Sequence, residues 1–314
     1  MNAIPDAAAT VTDVTMRYRE HTALDGVTTS FATDGITGLL GRNGAGKTTL
    51  MQLLTGHRVP TRGRVQVLGA DPYENDAVLQ RICFVKEGQR YPDHFRVRDA
   101  LSAAATLFPS WDEELARSLV ADFELPARRQ VNKLSRGMVS AVGITIGLAS
   151  RAPVTLFDEP YLGLDAVARQ LFYDRLIADY AENPRTIVLS THLIEEISGL
   201  LEHVLLIDAG RVLLDSDAED LRASAMTVTG RADRVAALGR EHEMLSTETL
   251  AGSSRAVVRL SRPLDDGDLE ARGLTGEPTP LQQLVITLSR HTAAAPAPDR
   301  APDPRSADFE EVTR

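Results

Sequence analysis

The sequence predicts an α/β domain followed by a smaller α+β one. Between about residues 10 and 215, short apolar strands alternate with helical patterns, the order that builds a largely parallel sheet. One of these strands runs straight into a glycine-rich loop and then a helix. After about residue 224 the texture changes to short segments such as "AMTVTG", "RADRVAALGR", "EMLSTE", "AVVRL" and "PTPLQQLVITLSR". These read as a compact α+β appendage.

Along the larger domain, "ITGLL" (36–40) is an apolar strand, the loop after it is rich in glycine, and "KTTLMQLLTG" is the helix. "RVQVLG" (64–69) and "RICFV" (81–85) read as strands. A helical block follows: "VRDALSAAATLF", "WDEELARSLVADFEL" and "GMVSAVGITIGLAS". Strands return with "PVTLFDE" (153–159) and "RTIVLS" (185–190). "HVLLID" and "RVLLD" around Ala209 and Gly210 read as a hairpin. Ser216 and Glu219 have the spacing of a capping box and predict another helix start. The tail 292–314, rich in Ala, Pro and charge, reads as disordered.

The bulk properties restrict the function. A chain of 314 residues accommodates one large domain plus something smaller. Its net charge of −10 gives no global attraction to nucleic acid, so none is expected as a partner. The single cysteine, Cys83, excludes an intramolecular disulfide and fits a reducing compartment. No apolar run reaches the roughly 20 residues of a membrane span; the nearest, 139–157, is broken by Arg151 and Pro153. The first residues, "MNAIPDAAAT", lack a basic segment followed by an apolar one and do not read as a secretory signal. Among 34 basic residues only three are lysine: Lys47, Lys86 and Lys133. The Arg bias reads as compositional, yet all three lysines fall in or beside motifs.

The strongest motif is "GRNGAGKT", Gly41 to Thr48. It matches G-x-x-x-x-G-K-[ST] between a predicted strand and a predicted helix. Backbone N–H groups of Gly41, Asn43, Gly44, Ala45 and Gly46 can curl around phosphates at a helix N-terminus, and Thr49 continues the helix start. Lys47 is a compact point charge for β- and γ-phosphates, and the Thr48 hydroxyl suits Mg²⁺. Next is "VTLFDEP" (154–160), an apolar strand ending in two acids. Beside a phosphate loop, Asp158 suits the Mg²⁺ shell and Glu159 suits a proton acceptor for attacking water. "LSTHL" (189–193) ends a further strand and sets His192 near the expected phosphate edge of the sheet.

"GRNGAGKTT", "LSRGM", "LFDEP", "GLD" and "STH", in this order and spacing, resemble the ATP-binding subunit of ABC transporters. The resemblance covers about residues 11–216. It implies a P-loop NTPase with a RecA-like core (11–95 and 151–216), an inserted helical subdomain (about 96–150), and ATP and Mg²⁺ as ligands. The expected division is then a flexible terminus over 1–9, an ATPase domain over 10–223, an accessory domain over 224–291 and the tail.

More roles follow from the resemblance. Tyr18 matches the aromatic that stacks on adenine. Ser135 and Gly137, in "LSRGM", match the signature motif, which completes the ATP site of a second ATPase subunit in a head-to-tail dimer. Asp165 matches the aspartate at the dimer seam. Two departures stand out. In the signature, Arg136 replaces a glycine and Met138 a glutamine; Arg136 either faces phosphate, which its charge favours, or turns away and pairs with an acid. In the Q-loop, "ICFVKEGQ" sets Lys86 and Glu87 at the usual Pro-Gln positions, with Gln89 two residues late. Glu87 is the preferred equivalent because "FRVRDAL" then follows at the family's usual interval, and a carboxylate can ligate Mg²⁺.

The expected function is ATP hydrolysis that drives a separately encoded integral-membrane permease, on the cytoplasmic face of the membrane. The chain looks most similar to ATPases of bacterial drug- and peptide-export systems. Two alternatives remain at this point: a soluble ATPase of the same family acting on a ribosome or nucleic acid, and an ATP-binding scaffold without turnover. The accessory domain is open between a dimerisation or regulatory role and a passive extension.

Overall fold

The computed structural model describes residues 7–294. The chain begins with strands β1 (Ala7–Tyr18), β2 (His21–Ala32) and β3 (Ile36–Leu40), then helix α1 (Lys47–Leu54), β4 (Arg62–Val67), α2 (Asp76–Leu79) and β5 (Ile82–Val85). The helical block is α3 (Val97–Leu107), α4 (Glu113–Asp122), a 3-10 turn (Val131–Lys133) and α5 (Arg136–Ala149). There follow β6 (Val154–Asp158), α6 (Ala166–Glu182), β7 (Thr186–Thr191), α7 (Ile194–Ile197), β8 (His203–Asp208), β9 (Arg211–Asp217) and α8 (Ala218–Ala223). The last part holds β10 (Ala225–Arg231), α9 (Ala232–Leu238), β11 (Glu243–Leu250), β12 (Ser253–Arg259), α10 (Asp266–Ala271), β13 (Leu274–Pro278) and α11 (Leu281–Ala294).

The central sheet has six strands in the order β5-β6-β7-β3-β8-β9. All its pairs are parallel except the β8–β9 hairpin. Strands β3, β6 and β7 are buried at every position, so they read as apolar runs without alternation. Successive side chains still point to opposite faces. Leu39 packs with α1 and with the antiparallel sheet β2-β1-β4, while Leu40 packs with Phe157, Phe172 and the helices of the other face. This is the RecA-like core, and α3–α5 form the helical subdomain inserted between β5 and β6.

A partly buried charge cluster joins that subdomain to the core. Arg151, just past α5, reaches Asp112 at 2.9 Å and Asp179 on α6 at 2.7 Å, and Arg185 reaches Asp179 at 2.6 Å. Asp112 also caps α4 by accepting from the Leu115 N–H. That backbone bond, helped by Arg151, holds its carboxyl below the usual range.

The accessory part has the order β-α-β-β-α-β and a four-stranded antiparallel sheet, β11-β12-β10-β13. This is the ferredoxin-like arrangement. One face (Val228, Ala256, Val258) packs against α9 and α10 through Val235, Leu238 and Leu269. The other face (Ala225, Leu245, Val257) packs on Leu281, Leu284, Val285 and Leu288 of α11. Those leucines are continuous with Ile194 and Ile197 of α7. The accessory part therefore shares a core with the larger domain and does more than hang from it.

Three expectations need correction. Ala7–Ala9 are not a loose terminus: they open β1, with Ala9 pairing Val67 and Phe31. The cap of α8 is Asp217, whose carboxylate accepts from Glu219 N and Asp220 N, because α8 begins at Ala218 and Ser216 lies one residue too early to cap it. Within the expected tail, 292–294 complete α11; residues 1–6 and 295–314 lie outside the described residues.

Candidate nucleotide site

Strand register assembles the site. Leu40 of β3 pairs with Thr191 of β7, Asp158 of β6 pairs with Ser190, and Val85 of β5 pairs with Phe157. The loops that leave these neighbouring strand ends carry the glycine-rich loop, Asp158 and Glu159, His192, and Glu87. They meet around a cleft of about 590 Å³ lined by Tyr18, Asn43 to Thr49, Glu87, Arg136, Asp158, Glu159 and His192. Crevices at the carboxyl ends of parallel strands are where such sheets bind ligands.

The loop Gly41–Lys47 is shaped by its glycines. Gly46 is the N-cap of α1 with φ 111°, and a Cβ there would lie 2.7 Å from the Ala23 carbonyl oxygen. Gly44 has φ 81° and faces open space. Only glycine takes such angles at low cost. The loop and the first turn of α1 thus present backbone N–H groups to the cleft. Lys47 is buried, donating to the carbonyls of Gly41 (2.8 Å) and Arg42 (3.3 Å) and lying 3.6 Å from Glu159 Oε1.

Asp158 is buried and accepts from Thr48 Oγ1 and Ser190 Oγ, both at 2.7 Å. Glu159 is 8% exposed and has φ 48°, in the left-handed region that costs a non-glycine residue about 1–3 kcal/mol. Its Oε2 lies 2.7 Å from His192 Nδ1. A carboxylate only accepts, so His192 carries its proton on Nδ1 in this geometry. Among the described residues no group of three or more His, Cys, Asp or Glu could hold a metal by itself. The donor set of Thr48 and Asp158, facing a phosphate cradle, fits Mg²⁺, which keeps waters and takes one or two carboxylates plus phosphate oxygens.

Glu87 lies in the cleft and Gln89 does not line it. Arg136 also lines the cleft, and its Nη2 donates to Glu87 Oε1 at 2.8 Å. The two departures from the family pattern are thus partners. Their side chains are 67% and 47% exposed. Ser135, Gly137 and Asp165 do not line this cleft. Ser135 caps α5, accepting from Met138 N at 3.2 Å, and Asp165 caps α6, accepting from Ala168 N at 2.9 Å. Gly137 packs so closely on the Gly163 carbonyl that a side chain would collide.

Tyr18 is half-buried at the end of β1, and the Arg58 guanidinium lies 5.7 Å from its ring centre. The sequence reading missed Arg42, Ala23 and Leu162 on the cleft wall, and Tyr161 behind it. Tyr161 directly follows "FDEP", but nothing in its neighbours along the chain shows that its hydroxyl meets Thr191 and His192.

The sequence matches the ABC transporter family over residues 24–162. It is 31% identical to the Nod factor export ATP-binding protein I of Rhizobium meliloti, over 68% of this chain and 65% of that protein. It is 30% identical to a daunorubicin resistance ATP-binding protein of Streptomyces coeruleorubidus, over 94% of this chain and 85% of that one. In fold it matches a solved ATP-binding subunit of an ABC transporter, with a TM-score of 0.62 and 24% identity over 68% of this chain and 92% of the other. A likeness that reaches 94% of the chain runs through the accessory part as well as the motifs, and the chain belongs to the ATP-binding proteins of ABC transporters.

Proposed function

We propose that the chain hydrolyses ATP to drive a membrane exporter. The observation that carries this is the pairing of Glu159 with His192 on adjacent strand ends, with Lys47 within 3.6 Å of Glu159. Glu159 accepts the proton of the attacking water, and His192 holds the γ-phosphate side of the cleft. Lys47 leaves the Gly41 and Arg42 carbonyls for the β- and γ-phosphates. Thr48 and Asp158 hold Mg²⁺, which when bound supplies charge neutralisation on the phosphate oxygens. Tyr18 stacks on the adenine. Catalysis is then positioning and electrostatics.

Two chains close head to tail, with Ser135, Gly137 and Asp165 of each completing the other's site. Their absence from the chain's own cleft supports this reading. The work is delivered to separate permease subunits at the cytoplasmic face of the membrane. Among the described residues no helix is long and apolar enough to cross a membrane. Export is supported by the relatives, one named for Nod factor export and one for daunorubicin resistance.

Glu159→Gln tests the hydrolytic core: ATP binding persists while kcat falls by about 10²–10⁴-fold, the worth of a positioned base. Normal turnover in that variant removes Glu159 from the role. Co-purification of a polytopic membrane protein with the tagged chain tests the transport arm.

A further inference from the structure

Tyr161 is a polar group behind the site that the hydrolytic roles do not use. Its side chain is buried, 1% exposed, and does not line the cleft. Its hydroxyl accepts from Thr191 Oγ1 at 2.8 Å and from the His192 backbone N–H at 3.1 Å. Thr191 Oγ1 in turn accepts from the Leu193 N–H at 2.8 Å. A phenol has two lone pairs and one proton. With both lone pairs used, the proton is left for Glu159 Oε2, 3.4 Å away. His192 Nδ1, at 3.3 Å from the phenol oxygen, points its own proton at the same Oε2. The Tyr161 and His192 rings also meet edge to face, with centroids 5.7 Å apart.

We infer that Tyr161 is a positioning residue for ATP hydrolysis, its hydroxyl tying the turn after β7 to Glu159 so that His192 is held as the Nδ1–H tautomer and Glu159 Oε1 is left toward the cleft. The chain of bonds runs Leu193 N–H, Thr191, Tyr161, Glu159, so the turn carrying His192 and the strained backbone of Glu159 move as one unit. A residue in the left-handed region persists only where its surroundings over-determine it, and Tyr161 supplies that restraint from the buried side. The same bonds leave His192 Nε2 toward the cleft. The inference rests on the hydrolytic reading of Glu159 and His192.

Tyr161→Phe keeps the ring and removes only the hydroxyl. In the protein, kcat is expected to fall about tenfold, with KM for MgATP within about twofold because Tyr161 does not line the nucleotide cleft. Nitrogen-15 NMR of the nucleotide-free protein reads the ring directly. The wild-type His192 shows the Nδ1–H pattern, and the variant loses it toward Nε2–H. Thr191→Ser, which keeps a hydroxyl, preserves the rate, and Thr191→Val lowers it. A kcat within twofold of wild type, or an unchanged ring-nitrogen pattern, overturns the inference. So does a loss in which KM rises as kcat falls and the unfolding midpoint drops, which marks packing alone. Turnover retained by Glu159→Gln sinks the hydrolytic reading instead, and the ring-nitrogen measurement then still decides whether Tyr161 sets the tautomer.

Discussion

On the sheet side of the cleft, Asp158 and Glu159 are buried and each meets two or more polar partners. On the helical side, Glu87 and Arg136 are exposed and meet each other. The difference shows which parts of the site are rigid. A buried carboxylate with several partners keeps its place, since leaving any partner unmet costs a full desolvation penalty. An exposed ion pair is worth about 0–1 kcal/mol and breaks readily. The sheet wall therefore suits chemistry, which needs fixed atoms. The helical wall suits movement of α5 against the Q-loop, which needs a contact that can be exchanged, for instance for phosphate.

The sharpest break is at the sheet wall. Lys47→Ala removes a buried cation, and ATP affinity is expected to fall about 10–100-fold, the worth of a charge-assisted contact. Equilibrium dialysis with labelled ATP measures it; affinity near wild type would mean that the backbone cradle binds phosphate without the ammonium.

At the helical wall the effects are smaller. Arg136→Gly should leave hydrolysis within about tenfold, about 1.4 kcal/mol. A double-mutant cycle of Arg136→Gln with Glu87→Gln, followed by urea unfolding, should give a coupling of about 0.2–1 kcal/mol. A loss of hydrolysis far beyond tenfold in Arg136→Gly would place this arginine among the phosphate contacts and erase the contrast between the walls.

The smallest effect calibrates exposed pairs elsewhere on the molecule. Glu241, in the accessory part, is hydrogen-bonded by Arg272 and Arg262, which lower its carboxyl from 4.5 to about 2. A depressed folded value means stability that is present above pH 4.5 and lost as pH falls toward 2. Urea midpoints of the wild type and Glu241→Gln should therefore differ at pH 6 and converge as the pH falls through that window. A constant gap would show that the arginines do not depend on the charge.

Legibility followed the range of the interaction. The glycine-rich loop was readable because its shape is a property of consecutive backbone angles, and glycine marks them. Asp158, Glu159 and His192 were readable as strand ends because parallel strands put their carboxyl ends on one edge. Glu87 and Arg136 were visible as two separate oddities, 49 residues apart, and their pairing was left open. Tyr161 was invisible as a site residue, since its partners Thr191 and His192 are 30 and 31 residues away.

The accessory part shows the same division. Its α+β character was legible from strand and helix patterns. Its shared core was not, because the leucines of α11 join the cluster of Ile194 and Ile197 only once α11 folds back over α7. By itself the sequence determined most strands of the central sheet, the helical block, the phosphate loop and the acids that line up with it, all local properties of pattern and backbone. Only the tertiary structure decided which side chains close the network behind Glu159, that Glu87 takes Arg136, and that the accessory sheet is sealed by α11 against the core. Those depend on sheet register and helix packing, which bring together groups that no short stretch of chain contains.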